Sequence, residues 1–320
     1  MNLRIDQSAR LPDFIIGGAP KCGTTSLHFI LSQNPAVGIP DDEIHFFDAD
    51  DPIGHPDFLF DGPDGLDWRD PNPGNLESLG WYAGRFSKLA GCACLGEDST
   101  IYLQSEVAAE RIAKMLPDVR LIFMLRNPVK RAYSQYWHLM TRGRTTCSFE
   151  KALRVHPSVI LGSTYAPHLR RYLEIFGPNR VRIVLFEDFL ADQQGFIDGI
   201  TDFLDVPRMQ VTSGNAWFNR TYYPCHLGMQ RAINLLSSRI VRQQYRNHFN
   251  QRRGPRERAR NKLHYYWFRY AHPVFLKSTK QPPMAPKTQR FLEQHLSARN
   301  GGLSTLLGRD LSAVWPRFTG

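Results

Sequence analysis

Residues 13–27 read Asp-Phe-Ile-Ile-Gly-Gly-Ala-Pro-Lys-Cys-Gly-Thr-Thr-Ser-Leu. The apolar run that ends in glycines predicts a short buried strand over Asp13–Gly18. The spacing of Leu27, Ile30 and Leu31 predicts a helix over Thr24–Gln33. Strand, glycine-containing loop and helix in this order form the opening unit of a nucleotide-binding α/β fold. Glycines let backbone N–H groups turn inward, and a helix N-terminus adds partial positive charge, so the loop suits a phosphate.

The loop departs from the nucleoside-triphosphatase pattern G-x-x-x-x-G-K-[ST]. Gly18 and Gly23 keep the separation and Thr25 keeps the hydroxyl, but Thr24 stands in the lysine position. The lysine has moved into the loop as Lys21, and Thr24, Thr25 and Ser26 supply three consecutive hydroxyls. Lost with the displacement is the usual lysine geometry for a β/γ-phosphate pair, so a nucleotide with a short 5′ chain is expected.

Working outward, Val119–Leu125 (VRLIFML) predicts a second buried strand. Arg126 follows it, where ligands of open α/β sheets sit. Asn127 and Pro128 have the residue types of a helix cap and first turn. Ser134 comes about two turns later and can share a face with the helix start. A triphosphatase would want Asp at this strand end to help hold Mg²⁺. Arginine binds phosphate directly. The pair therefore reads as a metal-free site for a second phosphate on the same nucleotide.

Helices are predicted over Glu106–Leu116, Leu169–Phe176 and Gln194–Leu204, and a further strand over Arg180–Phe186. This alternation predicts a doubly wound, mainly parallel sheet with helices on both faces. Asp50–Gly80, rich in Pro, Gly and Asp, is expected to be a surface excursion. From about residue 239 the chain turns basic, with nine Lys or Arg and one acid in 239–262. We expect one domain over 1–320, with a basic, partly helical C-terminal subdomain from about 239. The aromatic run Tyr265–Tyr270 is expected in the core, and a helix, a Gly-Gly break and a compact end over Thr288–Trp315.

Bulk properties bound the function less sharply. The 320 residues can bury a sizeable core, and the net charge of +10 favours anionic partners without choosing among them. No stretch approaches the roughly 18 uncharged apolar residues of a membrane helix. Met1–Arg10 is polar, unlike a secretory leader, so a cytoplasmic location is expected. The five cysteines, Cys22, Cys92, Cys94, Cys147 and Cys225, are odd in number and widely spaced, and are expected as free thiols. No metal site is expected.

With these residues in view, the chain resembles the PAPS-dependent sulfotransferases, nearest in motif to the glycosaminoglycan-type and bacterial branch. APKCGTTSL (19–27) is similar to their 5′-phosphosulfate loop, and LIFMLRNPVKRAYSQY (121–136) to their 3′-phosphate strand and helix. Glu43–Asp48 (EIHFFD) resembles the E-x-H-F-F-D segment. Residues 181–204 resemble the later strand and acidic Glu-Asp turn, and Leu306–Leu311 (LLGRDL) a closing motif.

The resemblance implies transfer of a sulfuryl group from 3′-phosphoadenylyl sulfate (PAPS) to an acceptor hydroxyl, leaving 3′,5′-adenosine bisphosphate. It implies that Lys21 stabilises the leaving oxygen. Lys21, Cys22, Gly23, Thr24, Thr25 and Ser26 would hold the 5′ end, and Arg126 and Ser134 the 3′-phosphate. Glu43 would be the general base, with His45 as rival and Asp41, Asp42 and Asp48 near. The acceptor is open among sugar, alcohol, phenol and lipid-linked hydroxyls, and can be anionic. Nucleic acid is not expected as a partner. Relatives often carry Glu-Lys where this chain has Glu97-Asp98, which argues against a heparan-like acceptor. Arg253-Gly254-Pro255 and Asn219-Arg220 are candidates for the adenine side. A P-loop kinase and a non-catalytic nucleotide binder are the competing readings.

Overall fold

The computed structural model describes residues 10–62, 64–68, 76–211, 222–246 and 255–318. At its centre lies a five-stranded parallel sheet: β1 (Phe14–Gly18), β2 (Val37–Gly38), β3 (Cys94–Asp98), β4 (Arg120–Leu125) and β5 (Val181–Leu185), in the order β2-β3-β1-β4-β5. The chain leaves β1 towards one edge, returns through β3, and crosses β1 to continue at β4. The carboxyl end of β1 is therefore the point where the winding reverses, the expected place for a ligand. Every residue of β1 is buried, and Phe14 pairs with Gly96 on one side and Arg120 on the other. Strands covered on both faces read as continuous apolar runs, which is why β1 and β4 stood out in the sequence.

Helices α1 (Thr24–Leu31), α2 (Ala108–Met115), α3 (Pro128–Thr141), α4 (Ala166–Phe176) and α5 (Gln193–Leu204) follow the strands. The Asn127 side chain caps α3, accepting from the amides of Val129 and Lys130 at 3.1 Å each. The predicted elements agree with these to within a few residues, and β2 and β3 are additions. So is a short helix, Phe186–Ala191, which begins where the strand over Arg180–Phe186 was expected to end.

The excursion expected over Asp50–Gly80 is more ordered than a loop. It holds an antiparallel hairpin, Leu59–Gly62 with Gly65–Trp68, and the start of a helix, Leu76–Gly84, which buries Tyr82 and Ala83.

A second apolar cluster joins α3 to α8 (Pro286–Arg299). Tyr136, Trp137, Met140, Phe149, Leu292 and Leu296 form it. Earlier in the chain than α8 come α6 (Leu227–Arg246) and α7 (Pro255–Tyr266), which carry the described part of the basic stretch. The sequence placed Tyr265–Tyr270 in the core, and the structure corrects this. Tyr265 and Tyr266 at the end of α7 and Tyr270 in the turn after it are 63%, 46% and 66% exposed, because this segment packs through Trp267 and His272, both hydrogen-bonded to Ser237. Arg309 forms two hydrogen bonds with the Asp188 carboxylate, so the closing segment 306–311 meets the acidic turn after β5. Among the described residues, no helix is long and apolar enough to cross a membrane.

Candidate active site

The loop after β1 turns tightly. Ala19 N–H donates to the Met124 carbonyl of β4 (2.9 Å), and Cys22 N–H returns to the Ala19 carbonyl (3.3 Å). Lys21 takes a left-handed backbone conformation with φ of 69°, unusual for a residue with a side chain. Gly23 is the N-cap of α1 at φ 95°, and a Cβ there would stand 2.5 Å from the Phe186 ring. Only glycine meets both demands. No side chain caps α1, and the amides of Gly23, Thr24 and Thr25 find no acceptor among the described residues. The helix end thus presents unpaired N–H groups to an anion.

Around this loop the fold gathers positive charge. Lys21 is held by burial first, and then by the charges of Arg142, Arg126 and Arg131, at a pKa lowered from 10.5 to about 8. Burial, with Lys21, Arg144, Arg142 and Arg131 behind it, drives His138 well below its ordinary value. Arg131 is fully buried and donates to carbonyls, Nε to Pro20 (2.9 Å) and Nη1 to Ser158 (2.8 Å) and Val159 (3.2 Å), while Nη2 has no partner among the described residues. It pins the loop from beneath. Arg126 lies over the Phe186 ring at 5.1 Å and reaches the Lys21 carbonyl at 3.4 Å. A lysine depressed by burial first and then by neighbouring cations marks a pocket suited to an anion.

The structure distributes the sequence-predicted residues unevenly. Lys21, Gly23 and Arg126 share the loop region, and Thr25 is exposed at the helix start. Thr24 and Ser26 are buried, the Ser26 amide bonded back to the Gly23 carbonyl (3.0 Å). The Cys22 side chain is wholly buried and turned to the Tyr165 hydroxyl at 3.8 Å, so its thiol faces the core. Ser134 sits half-buried on α3 between buried Tyr133 and Gln135. Glu187, in the acidic turn, accepts the Asn127 amide at 3.0 Å and so steadies the Arg126 end of β4. All five cysteines are free. Residues 219, 220, 253 and 254, considered for the adenine side, lie outside the described residues.

Glu43 stands beside the loop through one intermediary. The backbone of Thr100, just past β3, lies against Gly18, where a Cβ would meet the Thr100 carbonyl at 2.7 Å. The Thr100 hydroxyl donates to Glu43 Oε1 at 3.3 Å. His45 Nε2 lies 2.9 Å from Glu43 Oε2. Burial pushes the Glu43 carboxyl up, but the His45 contact and the Thr100 hydroxyl outweigh it and leave the group below its ordinary value. His45 moves the other way: burial lowers it, and Glu43 with Asp48 raises it overall. Glu43 is therefore an ionised acceptor held in place by two partners. His45 packs against His55 and Phe58, with ring centroids at 4.4 Å and 5.9 Å, while Phe46 and Phe47 turn into the core.

Behind the Glu43 segment is a buried carboxyl that sequence reasoning passed over. Glu97 of β3 accepts from the hydroxyls of Ser99 (2.6 Å), Tyr102 (2.6 Å) and Tyr82. The Ser99 oxygen in turn accepts the amides of Ile44 (3.2 Å) and His45 (2.9 Å). The Tyr102 oxygen accepts those of Phe46 (2.8 Å) and Phe47 (3.3 Å). Asp98 pairs with His28 at 3.2 Å, and burial raises its carboxyl to about 6. Arg131 and Arg142 were likewise missed. Arg131 lies inside the quoted 121–136 segment, and Arg142 is brought to the loop only by the length of α3.

Comparison with known proteins agrees with this geometry. The Sulfotransferase domain family model matches residues 11–221. The chain is 28% identical over 225 residues to the mouse (Mus musculus) heparan sulfate glucosamine 3-O-sulfotransferase 6, covering 68% of this chain and 58% of that protein. It is 30% identical over 219 residues to the human (Homo sapiens) bifunctional heparan sulfate N-deacetylase/N-sulfotransferase 2, covering 62% and 22%. The matches thus span less than two thirds of these curated relatives. A solved sulfotransferase from Alicyclobacillus acidocaldarius superposes with a TM-score of 0.59 at 26% identity, over 95% of this chain and 98% of that one. A matched segment that contains the anion loop, Glu43, Arg126 and the whole parallel sheet establishes that the chain belongs to the sulfotransferase domain family.

Proposed function

We propose that this protein transfers the sulfuryl group of PAPS to an acceptor hydroxyl by in-line displacement, with charge handled by side chains rather than by a metal at the reacting atoms. The observation that carries the reading is the cationic pocket around Lys21, whose loop meets at Gly18 the Thr100 that donates to an ionised Glu43. In this reading the free amides at the start of α1 hold the 5′-phosphate, and Arg126 with Ser134 holds the 3′-phosphate. Lys21 meets the negative charge that grows on the phosphate–sulfate bridging oxygen as the S–O bond breaks. A preorganised donor of that kind is worth about 10²–10³-fold. Glu43 takes the acceptor proton as the new S–O bond forms, worth about 10²–10⁴-fold.

The acceptor is read as a hydroxyl of a sugar, alcohol, phenol or lipid-linked group. The curated relatives are named for heparan sulfate. Here, however, Asp98 occupies the position where relatives often carry a lysine, and its buried partner is His28. In this reading that arrangement disfavours a densely anionic saccharide beside Asp98.

The test is a thermal-shift titration with 3′,5′-adenosine bisphosphate against ATP with Mg²⁺, followed by labelled-sulfate transfer across a hydroxyl library. Stabilisation by the bisphosphate and transfer to a hydroxyl are expected. Stabilisation by ATP with Mg²⁺ alone would favour a phosphoryl transferase and sink this reading.

A further inference from the structure

The sequence spacing pointed to no metal site, yet the fold assembles one set of donors. His45, Asp48 and His55 each offer a ligand atom, and the three atoms lie within 4.8 Å of one another. Asp48 Oδ1 is 3.8 Å from His45 Nδ1 and 2.9 Å from His55 Nε2. Asp48 is 0% exposed and His55 5%.

These atoms are also orphans. Both Asp48 carboxylate oxygens, His45 Nδ1 and His55 Nε2 are buried without a hydrogen-bond partner. The 2.9 Å approach of His55 to Asp48 has the distance of a hydrogen bond but not its direction. A buried carboxylate that receives no donor is costly and calls for another source of positive charge. Protonating both rings is a poor answer, because their centroids are 4.4 Å apart and the two cations would repel. A metal ion would instead meet neutral imidazoles, whose His45 Nδ1 and His55 Nε2 lie beside the carboxylate.

We propose that His45 Nδ1, Asp48 and His55 Nε2 bind a divalent first-row metal ion, with Zn²⁺ the best fit. Two imidazole nitrogens and one carboxylate suit Zn²⁺ and its neighbours, whereas Mg²⁺ and Ca²⁺ prefer all-oxygen sets. Metal on Nδ1 fixes the proton of His45 on Nε2, the nitrogen that faces Glu43 at 2.9 Å. The ion lies behind the reacting atoms and orients His45, which orients Glu43. This second step rests on the proposed role of Glu43 as base, whereas metal binding itself does not.

The experiment uses tag-free, chelator-stripped full-length protein. Calorimetric titration with ZnCl₂ and visible absorption with CoCl₂ are expected to show one equivalent bound, the cobalt spectrum having the d–d bands of a low-coordinate nitrogen–oxygen site. His55→Ala and Asp48→Asn are each expected to weaken Zn²⁺ binding at least ~100-fold, the upper end of the range seen for lost outer-shell partners. Replacement of the exposed His226 by Ala should leave binding unchanged. Absence of uptake by the wild-type protein overturns the proposal, and that measurement does not depend on any variant folding. So does His55→Ala binding Zn²⁺ as the wild type does, with its circular dichroism unaltered. If Zn²⁺ binds at one equivalent but sulfuryl transfer is the same with and without it, the metal site stands and its link to Glu43 fails.

Discussion

Lys21 carries a cost in the ligand-free protein that should be measurable as stability. In an unfolded chain its ammonium titrates near 10.5, and in the folded protein at about 8, with burial the leading cause and Arg142, Arg126 and Arg131 adding to it. The unfolded state therefore binds more protons between these two values, and stability rises with pH across that window. Below pH 8 the cost is fully present, and above 10.5 it is gone. At about 1.36 kcal/mol per pKa unit, the difference amounts to about 3 kcal/mol. Lys21→Met keeps the aliphatic stem and the same backbone demand while removing the charge. At pH 7 the variant should be more stable than the wild type by up to about 3 kcal/mol. The readout is the urea midpoint at unchanged m-value. The gain should shrink as the pH approaches 10, and the variant should lose affinity for 3′,5′-adenosine bisphosphate. A variant no more stable than wild type at pH 7, or a gain that is flat from pH 7 to 10, would refute the picture of Lys21 as a charge held in wait for an anion.

Glu43→Gln should leave bisphosphate affinity intact and cut sulfuryl transfer by ~10²–10⁴-fold, measured with labelled donor; persisting turnover would hand the role of base to His45. Arg126→Ala should weaken 3′,5′-adenosine bisphosphate by tenfold or more, since hydrogen bonds to charged groups contribute about 1.5–3 kcal/mol. Adenosine 5′-phosphate should lose far less in the same calorimetric titration, and equal losses would place Arg126 elsewhere than at a 3′-phosphate. Gly23→Ala drives a Cβ to 2.5 Å from Phe186 at a φ of 95°. It should lower stability by about 1–3 kcal/mol and abolish bisphosphate-induced stabilisation, and an unmoved melting temperature would contradict the loop geometry.

Much of this was legible in the sequence where local chemistry decides structure. The displaced lysine, the glycines at 18 and 23, and the Arg126-Asn127-Pro128 junction each follow from short-range rules, and the fold keeps them. What stayed hidden depends on contacts between distant segments. The strand β3 reads Cys-Leu-Gly-Glu-Asp, with acids where a buried strand should be apolar. Its place in the sheet is made possible by hydroxyls from Tyr82, Ser99 and Tyr102 that satisfy Glu97. Arg142 reaches Lys21 from the far end of a 14-residue helix. His55 meets His45 and Asp48 through the turn at 48–55, where the amides of Asp51 and His55 bond to the carbonyls of Asp48 and Asp51. The exposed tyrosines near 265 show the converse: an aromatic run gives composition, and only the neighbouring helices decide which side faces water.

Glu97 has a consequence for how this site can change over evolutionary time. The segment that carries Glu43 is attached by four hydrogen bonds from backbone amides, which end on two hydroxyl oxygens, Ser99 and Tyr102. Those hydroxyls point their protons at one buried carboxyl. The attachment is a bracket of side chains rather than a register of strands. A strand can slip only in steps that turn every side chain over, whereas a bracket can tilt by fractions of an ångström. Substitutions in the excursion beyond Asp48 can therefore re-aim Glu43, the proposed base, while the anion loop, held by Arg131 through the Pro20 carbonyl, stays where it is. One half of the proposed site is fixed and the other adjustable, so under the proposed reaction the donor would stay constant while the acceptor is free to vary.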